Sequence, residues 1–195
     1  MDKYPPNTAN DDGGKFLCAL KTLRAPCVIY SLGSHLEFDF EDQMVAHTPC
    51  EIHTFDCTVD ISKLPALPSR VHFHHLCLGE DGVPDARYRS FGNLTTSLGH
   101  SEVALLKMDI EGYEFQVVDA LIRGAATSSS RLPAQISFEL HFEPVWMDVK
   151  LGDFSVGELA LFWRQLADMG YAPISRENNK WCRFCTEFTV VRAFC

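Results

Sequence analysis

Short apolar runs alternate with segments of helical spacing along most of this chain, and this alternation constrains the fold more than any other sequence feature. Each run ends at a glycine, an acidic residue or a histidine; the runs span residues 27–32, 51–55, 71–78, 103–108 and 135–140. Such runs are typical of strands buried on both faces, and strands that alternate with helices form a mostly parallel sheet. The sequence therefore predicts an α/β domain built on a mostly parallel sheet.

Three segments carry helix signals; they span residues 38–46, 113–123 and 155–169. Asp39 is placed to cap the first helix, and Gly124 can close the second. Ser155 and Glu158 form a capping box that opens the third helix, which is expected to stop at Gly170. These helices would connect the predicted strands.

The two ends of the chain depart from the alternation. Residues 1–15 contain adjacent prolines and a run of Asn, Asp and Gly, which predicts a flexible arm before a single domain over residues 16–195. Residues 181–194 are aromatic and β-branched and follow a polar turn at 177–180, so a closing hairpin is expected. Residues 61–69 contain two prolines and predict a loop or a short irregular helix.

Charge and hydropathy argue against two classes of partner. The chain has 17 Lys and Arg against 26 Asp and Glu, a formal net charge of −9, whereas binding nucleic acid through its phosphates needs a basic face. No apolar stretch approaches the ~20 residues of a membrane span, and residues 1–14 lack the apolar core of a secretory signal. We therefore expect no nucleic-acid partner and no membrane span. The missing signal favours the cytoplasm, and the secretory pathway fits if the chain is a fragment.

Cysteine and histidine spacing gives no metal site. Eight cysteines are many for a reducing compartment and too few for a small disulfide-stapled scaffold. Cys182 and Cys185 form a single C-x-x-C pair, for which buried thiols or a disulfide are preferred over zinc. His72 and His74 share one face of a predicted strand, but no further ligands have suitable spacing, so no metal is expected.

Polar or glycine residues follow each predicted strand at its carboxyl end. In an open parallel sheet these ends meet at one edge, and ligands bind there near the point where the strand order reverses. The residues are therefore expected to form one composite site. They are Gly33 and Ser34, Asp56, Glu80 and Asp81, Asp109 and Glu111, and Glu139 and His141.

Asp56 has the position of an acidic residue that holds a ribose. It lies 23 residues after Gly33, close to the ~20-residue offset at which such a carboxylate accepts hydrogen bonds from ribose hydroxyls. The alternative is that Asp56 caps a turn. A single glycine in the first loop argues against a diphosphate cofactor such as NAD or FAD and favours a nucleoside cofactor without a diphosphate.

Lys107, Asp109 and Glu111 would share one side of the fourth strand if the strand persists. Their functional interpretation is a site wall beside a positively charged ligand. The alternatives are an ion pair between Lys107 and Asp109, or Glu111 capping the following helix. His141 lies at the same edge as a candidate general base, and the alternative is a hydrogen-bonded structural histidine.

Four segments resemble one family. They are CVIYSLGSHLEFDFE, CEIHTFDCT, LLKMDIEGYEF and ISFELHF, at residues 27–41, 50–58, 105–115 and 136–142. Together they resemble the FkbM-like branch of class I S-adenosylmethionine-dependent methyltransferases, particularly the animal methyltransferase-like proteins. The resemblance extends from about residue 12 to the terminal hairpin, and the block KMDIEGYE is its most specific part.

The resemblance implies a Rossmann-like sheet with helices on both faces, an antiparallel C-terminal hairpin strand, and S-adenosylmethionine as the cofactor. It places Gly33 and Ser34 at the methionine part, Asp56 at the ribose, Glu80 and Asp81 near adenine, and Asp109 and Glu111 at the sulfonium end. Such enzymes typically methylate hydroxyl oxygens of sugars or natural products. The expected activity is therefore O-methylation of a small-molecule or glycan hydroxyl.

Methyl transfer to a hydroxyl also removes a proton, for which Asp109 and His141 are the candidates. A degenerate methyltransferase fold that acts as a binding or scaffold module is the alternative. A nicotinamide-dependent oxidoreductase ranks below both, because the glycine-rich diphosphate loop is missing.

Overall fold

A central sheet of seven strands organises the computed structural model, which describes residues 1–4, 14–127, 132–142 and 155–192. The strands are β1 (Asp2–Tyr4), β2 (Lys15–Leu17), β3 (Val28–Leu32), β4 (Glu51–Phe55), β5 (Val71–His74), β6 (Cys77–Leu78), β7 (Tyr88–Arg89), β8 (Leu105–Met108), β9 (Gln135–His141), β10 (Tyr171–Asn178) and β11 (Cys185–Arg192). The α-helices are α1 (Asp39–His47), α2 (Phe91–Ser97), α3 (Glu114–Thr127) and α4 (Val156–Asp168).

The order of the strands in the sheet is β10-β11-β9-β8-β3-β4-β5. Strands β5, β4, β3, β8 and β9 run parallel to one another, and β10 and β11 form the antiparallel hairpin beside β9. This confirms the predicted Rossmann-like sheet with an antiparallel C-terminal hairpin. The chain order reverses between β3 and β8, so the ligand crevice of such a sheet lies at the carboxyl ends of these two strands.

Alternate residues of the central strands enter two separate apolar cores. On one face, Tyr30 of β3 packs in a core that includes side chains of α2, α3 and α4. On the other face, Ile29 belongs to a core with Met44 of α1 and Leu17 of β2. This alternation is what a strand buried on both faces requires, and it confirms helices on both sides of the sheet.

The third sheet strand is shorter than predicted. It ends at His74, where the backbone N–H of Leu76 donates to the carbonyl of His74 (2.8 Å) and turns the chain. Residues Cys77–Leu78 instead pair with Tyr88–Arg89 in a separate parallel ribbon. Glu80 and Asp81 therefore follow this ribbon rather than the third strand of the main sheet.

Three element boundaries also differ from the prediction. The closing hairpin begins at Tyr171, ten residues before the predicted 181–194. The sequence did not reveal its first strand, because most side chains of β10 are exposed and show no apolar alternation. Helix α3 continues through Gly124 to Thr127. The N-cap of α1 is Phe38, and Asp39 is its first helical residue. The capping box of Ser155 and Glu158 is confirmed.

Both ends of the segment predicted as an arm are strands. Asp2–Tyr4 pairs antiparallel with Lys15–Leu17, and Tyr4 lies opposite Lys15. Lys15 has no solvent exposure, although the polar residues that precede it in the chain are not typical of a buried segment. Residues 5–13 lie outside the part of the chain that the structure describes.

Three disulfides join the described cysteines, and Cys18 alone among them is free. The bonds are Cys27–Cys50, Cys57–Cys77 and Cys182–Cys185. The C-x-x-C pair is thus a disulfide in the hairpin, as preferred from the sequence. A short 3₁₀ turn at Ile61–Lys63 lies in the segment predicted as irregular. None of the described helices has the length and hydrophobicity needed to cross a bilayer.

Candidate functional site at the carboxyl edge of the sheet

The loop after β3 is fixed against the end of β8. Gly33 has a φ of +77°, and a Cβ there would lie 1.9 Å from the carbonyl oxygen of Asp109. The backbone N–H of Gly33 donates to the carbonyl of Phe55 (3.0 Å). Only glycine fits this position, since both the backbone conformation and the contact exclude a side chain. The sequence connected Gly33 with a bound cofactor, and the structure shows that the backbone of Asp109 approaches it closely.

Asp56 connects the end of β4 to the same loop. Its Oδ2 accepts hydrogen bonds from the backbone N–H groups of Ser34 (3.0 Å) and His35 (3.0 Å) and from the Ser34 hydroxyl (3.1 Å). Its Oδ1 accepts from the N–H and hydroxyl of Thr58. Burial alone would raise the pKa of Asp56, but these bonds from Thr58, Ser34 and His35 lower it. Asp56 is therefore an ionised carboxylate that organises the loop, as the turn-capping alternative predicted.

Lys107 does not form the ion pair with Asp109 that the sequence allowed. Its Nζ donates to the carbonyl oxygens of Leu32 (3.3 Å) and Gly33 (2.6 Å). Strand β8 ends at Met108, and Glu111 has a φ of +56°. The strand alternation that would place Glu111 beside Lys107 therefore does not extend that far.

Lys15 is the cation that pairs with Asp109. Its Nζ lies 3.2 Å from Asp109 Oδ2 and also contacts Glu187. Burial alone would lower the pKa of Lys15, but the charges of Asp109, Glu187 and Glu139 raise it. A side chain from the N-terminal hairpin thus enters the edge of the sheet as a permanent ammonium group.

Sequence reasoning missed both Lys15 and Glu187. Glu187 of β11 lies directly opposite Glu139 of β9, and two like charges so placed need a cation between them. Pairing the hairpin with the fifth strand would have revealed these facing carboxylates. The local pattern around Lys15 carries no such signal, because Glu187 lies 172 positions away.

His141 lies between two acidic residues. Its Nδ1 is 3.1 Å from Glu114 Oε1, and its Nε2 is 3.4 Å from Glu111 Oε2. Glu114 Oε1 also accepts hydrogen bonds from the backbone N–H groups of Ile110 (3.1 Å) and Gly112 (3.4 Å). Glu114 therefore caps this turn, in place of the Glu111 cap that the sequence offered as an alternative.

The protonation states of Asp109 and His141 follow from these contacts. Burial alone would raise the pKa of Asp109, but the charges of Lys15, Lys107 and His141 lower it to about 2. Burial alone would lower the pKa of His141, but Glu114, Asp109 and Glu139 raise it to about 9. At neutral pH Asp109 is an ionised but weak proton acceptor, and His141 carries a proton. Neither has the properties of an efficient general base in this state.

The structure brings most of the predicted residues into two contiguous groups. One contains Gly33, Ser34 and Asp56, and the other contains Asp109, Glu111, Glu139 and His141, joined by the contact of Gly33 with Asp109.

Asp81 is engaged elsewhere. Its Oδ1 accepts from the Ser90 backbone N–H (2.7 Å), at the N-cap of α2. Glu80 is exposed in the same loop. The disulfide Cys57–Cys77 ties the residue after Asp56 to the ribbon that leads into this loop.

Comparison with known proteins agrees with the methyltransferase resemblance of the sequence. A family model described as a methyltransferase domain matches residues 7–192. The human probable methyltransferase-like protein 24 is 26% identical over 161 residues, which are 78% of this chain and 42% of that protein. The chain therefore spans about two fifths of the length of this curated relative.

Two solved structures share the fold at low sequence identity. The fibrillarin pre-rRNA processing protein of Methanococcus jannaschii has a TM-score of 0.58 at 12% identity, covering 92% of this chain and 70% of that chain. The Aeropyrum pernix fibrillarin, solved with natively bound S-adenosyl-L-methionine, has a TM-score of 0.50 at 12% identity and covers 90% and 70%. What this chain shares with both proteins is the Rossmann-like methyltransferase fold.

Proposed function

This chain belongs to the methyltransferase-domain family, and from that premise we propose that it transfers a methyl group from S-adenosylmethionine to a hydroxyl acceptor. One observation carries the proposal. The carboxylate of Asp56 holds the loop of Gly33, and Gly33 lies against Asp109 between the ends of β3 and β8, where the strand order reverses and Rossmann-like sheets bind nucleoside ligands. The FkbM-like resemblance of the sequence supports the same function.

The proposed cofactor pose follows the edge of the sheet. Asp56 lies at the ribose, whose hydroxyl would exchange with that of Thr58 at Oδ1, the oxygen that accepts fewer hydrogen bonds within the loop. Gly33 and Ser34 contact the methionine part, and the loop of Glu80 and Asp81 borders adenine. The sulfonium then lies towards Asp109 and Glu111, beyond the end of β8.

The charge of this edge suits a sulfonium cation. Asp109, Glu139 and Glu187 surround the ammonium of Lys15, and Glu111 adds a carboxyl group beside Asp109. With Glu114 the edge has five carboxyl groups against three cationic groups, Lys15, Lys107 and the protonated His141, so carboxyl groups are in excess. A positively charged ligand offsets the cost of burying this negative charge.

The acceptor we propose is a neutral hydroxyl on a small molecule or glycan. The net charge of −9 and the acidic edge both repel anionic polymers. Methyl transfer is an in-line displacement, so the protein chiefly aligns the acceptor oxygen with the methyl group. Asp109 and His141 lie where the acceptor proton leaves, and we assign them to that side of the site.

The cofactor is tested by calorimetric titration with S-adenosylhomocysteine. The wild-type chain is expected to bind it, and Asp56→Ala is expected to abolish binding. Asp60→Ala is the matched control, because Asp60 Oδ1 accepts hydrogen bonds from the N–H (3.0 Å) and hydroxyl (2.8 Å) of Ser62 in a similar way, but Asp60 lies outside the site. Thermal melting of each variant confirms that it is folded.

Two outcomes would contradict the cofactor proposal. If the wild-type chain binds no S-adenosylhomocysteine, the scaffold alternative gains support. If Asp56→Ala binds as tightly as the wild type, Asp56 does not hold the ribose.

The acceptor class is tested by transfer of labelled methyl from S-adenosylmethionine to panels of glycans, phenols and RNA. Label in hydroxyl compounds alone, lost in Asp109→Asn, supports the proposal. Label in RNA would overturn the hydroxyl small-molecule or glycan class.

A further inference from the structure

Three overlapping groups of side chains at the sheet edge have the spacing of metal ligands. Each residue of a group offers one ligand atom, and these atoms lie within 4.8 Å of one another. The groups are those found among the described residues. The groups are Asp109, Glu139 and Glu187; Glu139, His141 and Cys185; and Asp109, Glu111 and His141. The groups differ in how many of their side chains are free to bind a metal ion.

Two of the groups are already committed to other partners. Lys15 places its ammonium between Asp109 and Glu187, so a cation occupies the first group. Cys185 is bonded to Cys182 and has no thiolate to offer to the second. The third group shares Asp109 with the first, but Lys15 contacts Asp109 through Oδ2, so the other carboxylate oxygen of Asp109 is left to a metal ion together with Glu111 and His141.

We propose that Asp109, Glu111 and His141 bind a divalent metal ion of the Mn²⁺ type. One imidazole and two carboxylates are ligands that such ions accept, and binding through Nε2 would displace one proton from the protonated His141. The three side chains come from the turn after β8 and the end of β9, so rigid neighbouring strands hold them. The Glu111 side chain is 54% exposed and that of His141 is 3% exposed, so one side of the group opens to solvent, where a further ligand can enter.

Glu114 provides the second contact that a metal-binding histidine needs. Histidines that bind metals usually donate their other ring N–H to a carboxylate, which fixes the ring and its tautomer. Here Glu114 Oε1 lies 3.1 Å from His141 Nδ1, and backbone N–H groups of the turn hold that carboxylate. The arrangement directs Nε2 towards Glu111 and Asp109.

The role of this ion in catalysis rests on the proposed methyl transfer. An acceptor hydroxyl bound to the metal would become more acidic, so it would release its proton to water at the exposed side of the group without a strong protein base. The ion would also hold the oxygen in place beside the sulfonium.

The proposal is tested by Mn²⁺ binding, measured by electron paramagnetic resonance on the full chain with its disulfides intact, after treatment with EDTA and buffer exchange. We expect one Mn²⁺ bound per chain. Glu111→Gln is expected to weaken binding by roughly tenfold or more, the scale on which ligand-sphere changes act. Glu37→Gln, the same change at an exposed acid outside the group, should leave binding unchanged. His141→Asn provides a second ligand variant.

No saturable Mn²⁺ binding, or equal binding by the wild type and Glu111→Gln, would overturn the metal site. A titration with S-adenosylhomocysteine in EDTA separates this failure from failure of the proposed function. If the nucleoside binds while Mn²⁺ does not, only the metal inference is wrong.

Discussion

Gly33 has no room for a side chain at this edge of the sheet. Its positive φ and the carbonyl oxygen of Asp109, which would lie 1.9 Å from any Cβ at this position, act together. Gly33→Ala should lower the free energy of unfolding by about 3 kcal/mol or more. Gly99 also has a positive φ of +71° but nothing within 4 Å, so Gly99→Ala should cost only about 1 kcal/mol. Urea denaturation measures both, and similar losses would contradict the contact with Asp109.

Lys15 stabilises the fold through its buried charge. Lys15→Met would leave Asp109 and Glu187 buried without their cation, which should cost roughly 3–5 kcal/mol. Lys21→Met is the control, because the Lys21 side chain is 83% exposed, and should change stability by less than about 0.5 kcal/mol. Equal denaturation midpoints for the two variants would mean that the ion pairs with Lys15 contribute little.

At the scale of elements, the parallel strands were the predictable part of the fold. Glu51–Phe55 has the predicted bounds, and the other parallel strands differ mainly at their ends, because continuous apolar runs mark burial on both faces. Strand β10 was missed because an edge strand with exposed side chains has no such pattern. The break at His74 depends on one backbone hydrogen bond, for which the sequence gives no sign.

Strands β4 and β5 carry a histidine cluster that makes stability depend on pH. His53 Nδ1 lies 2.9 Å from His74 Nε2; Tyr30 of β3, His72 of β5 and His100 after α2 also pack against His53. Burial, with the charges of His100, His74 and His72, lowers the pKa of His53 from 6.5 to about 3. Between about pH 6.5 and about pH 3, His53 therefore binds a proton in the unfolded chain but not in the folded chain.

The contribution of His53 to folding stability is fully present above pH 6.5 and is lost as the pH falls from 6.5 towards about 3. The slope is at most roughly 1.4 kcal/mol per pH unit for each proton. Urea denaturation at about pH 7.5 and about pH 5.5 measures it, and His53→Gln should show a smaller difference than the wild type. An equal difference in both proteins would show that His53 does not take part.

At the scale of the whole molecule, the candidate site joins distant parts of the sequence. Residues at strand ends, such as Asp56 and Asp109, could be predicted because parallel strands bring their carboxyl ends to one edge. Lys15 and Glu187 come from opposite ends of the chain, and only the docking of the N-terminal hairpin on β11 brings them together. Such a contact depends on tertiary packing and leaves no periodic signal.

Disulfides also act on the whole molecule, and their loop lengths predict an order of stabilisation. Cys27–Cys50 spans 23 positions and Cys182–Cys185 spans 3. A bond that closes the longer loop restricts the unfolded chain more, so its loss should cost about 3 kcal/mol against about 2 kcal/mol or less for the shorter loop. The variants are Cys27→Ala with Cys50→Ala, and Cys182→Ala with Cys185→Ala, measured by urea denaturation without reductant.

Reductant provides the control for that comparison. Dithiothreitol should lower the denaturation midpoint of the wild type, and lower it less in the variant that already lacks Cys27–Cys50. Because such bonds persist in oxidising compartments, chain produced under oxidising conditions should also be more stable than chain produced in a reducing cytosol. A wild-type midpoint that does not respond to dithiothreitol would show that the bonds are absent or do not stabilise the fold, and the predicted order would then have no basis.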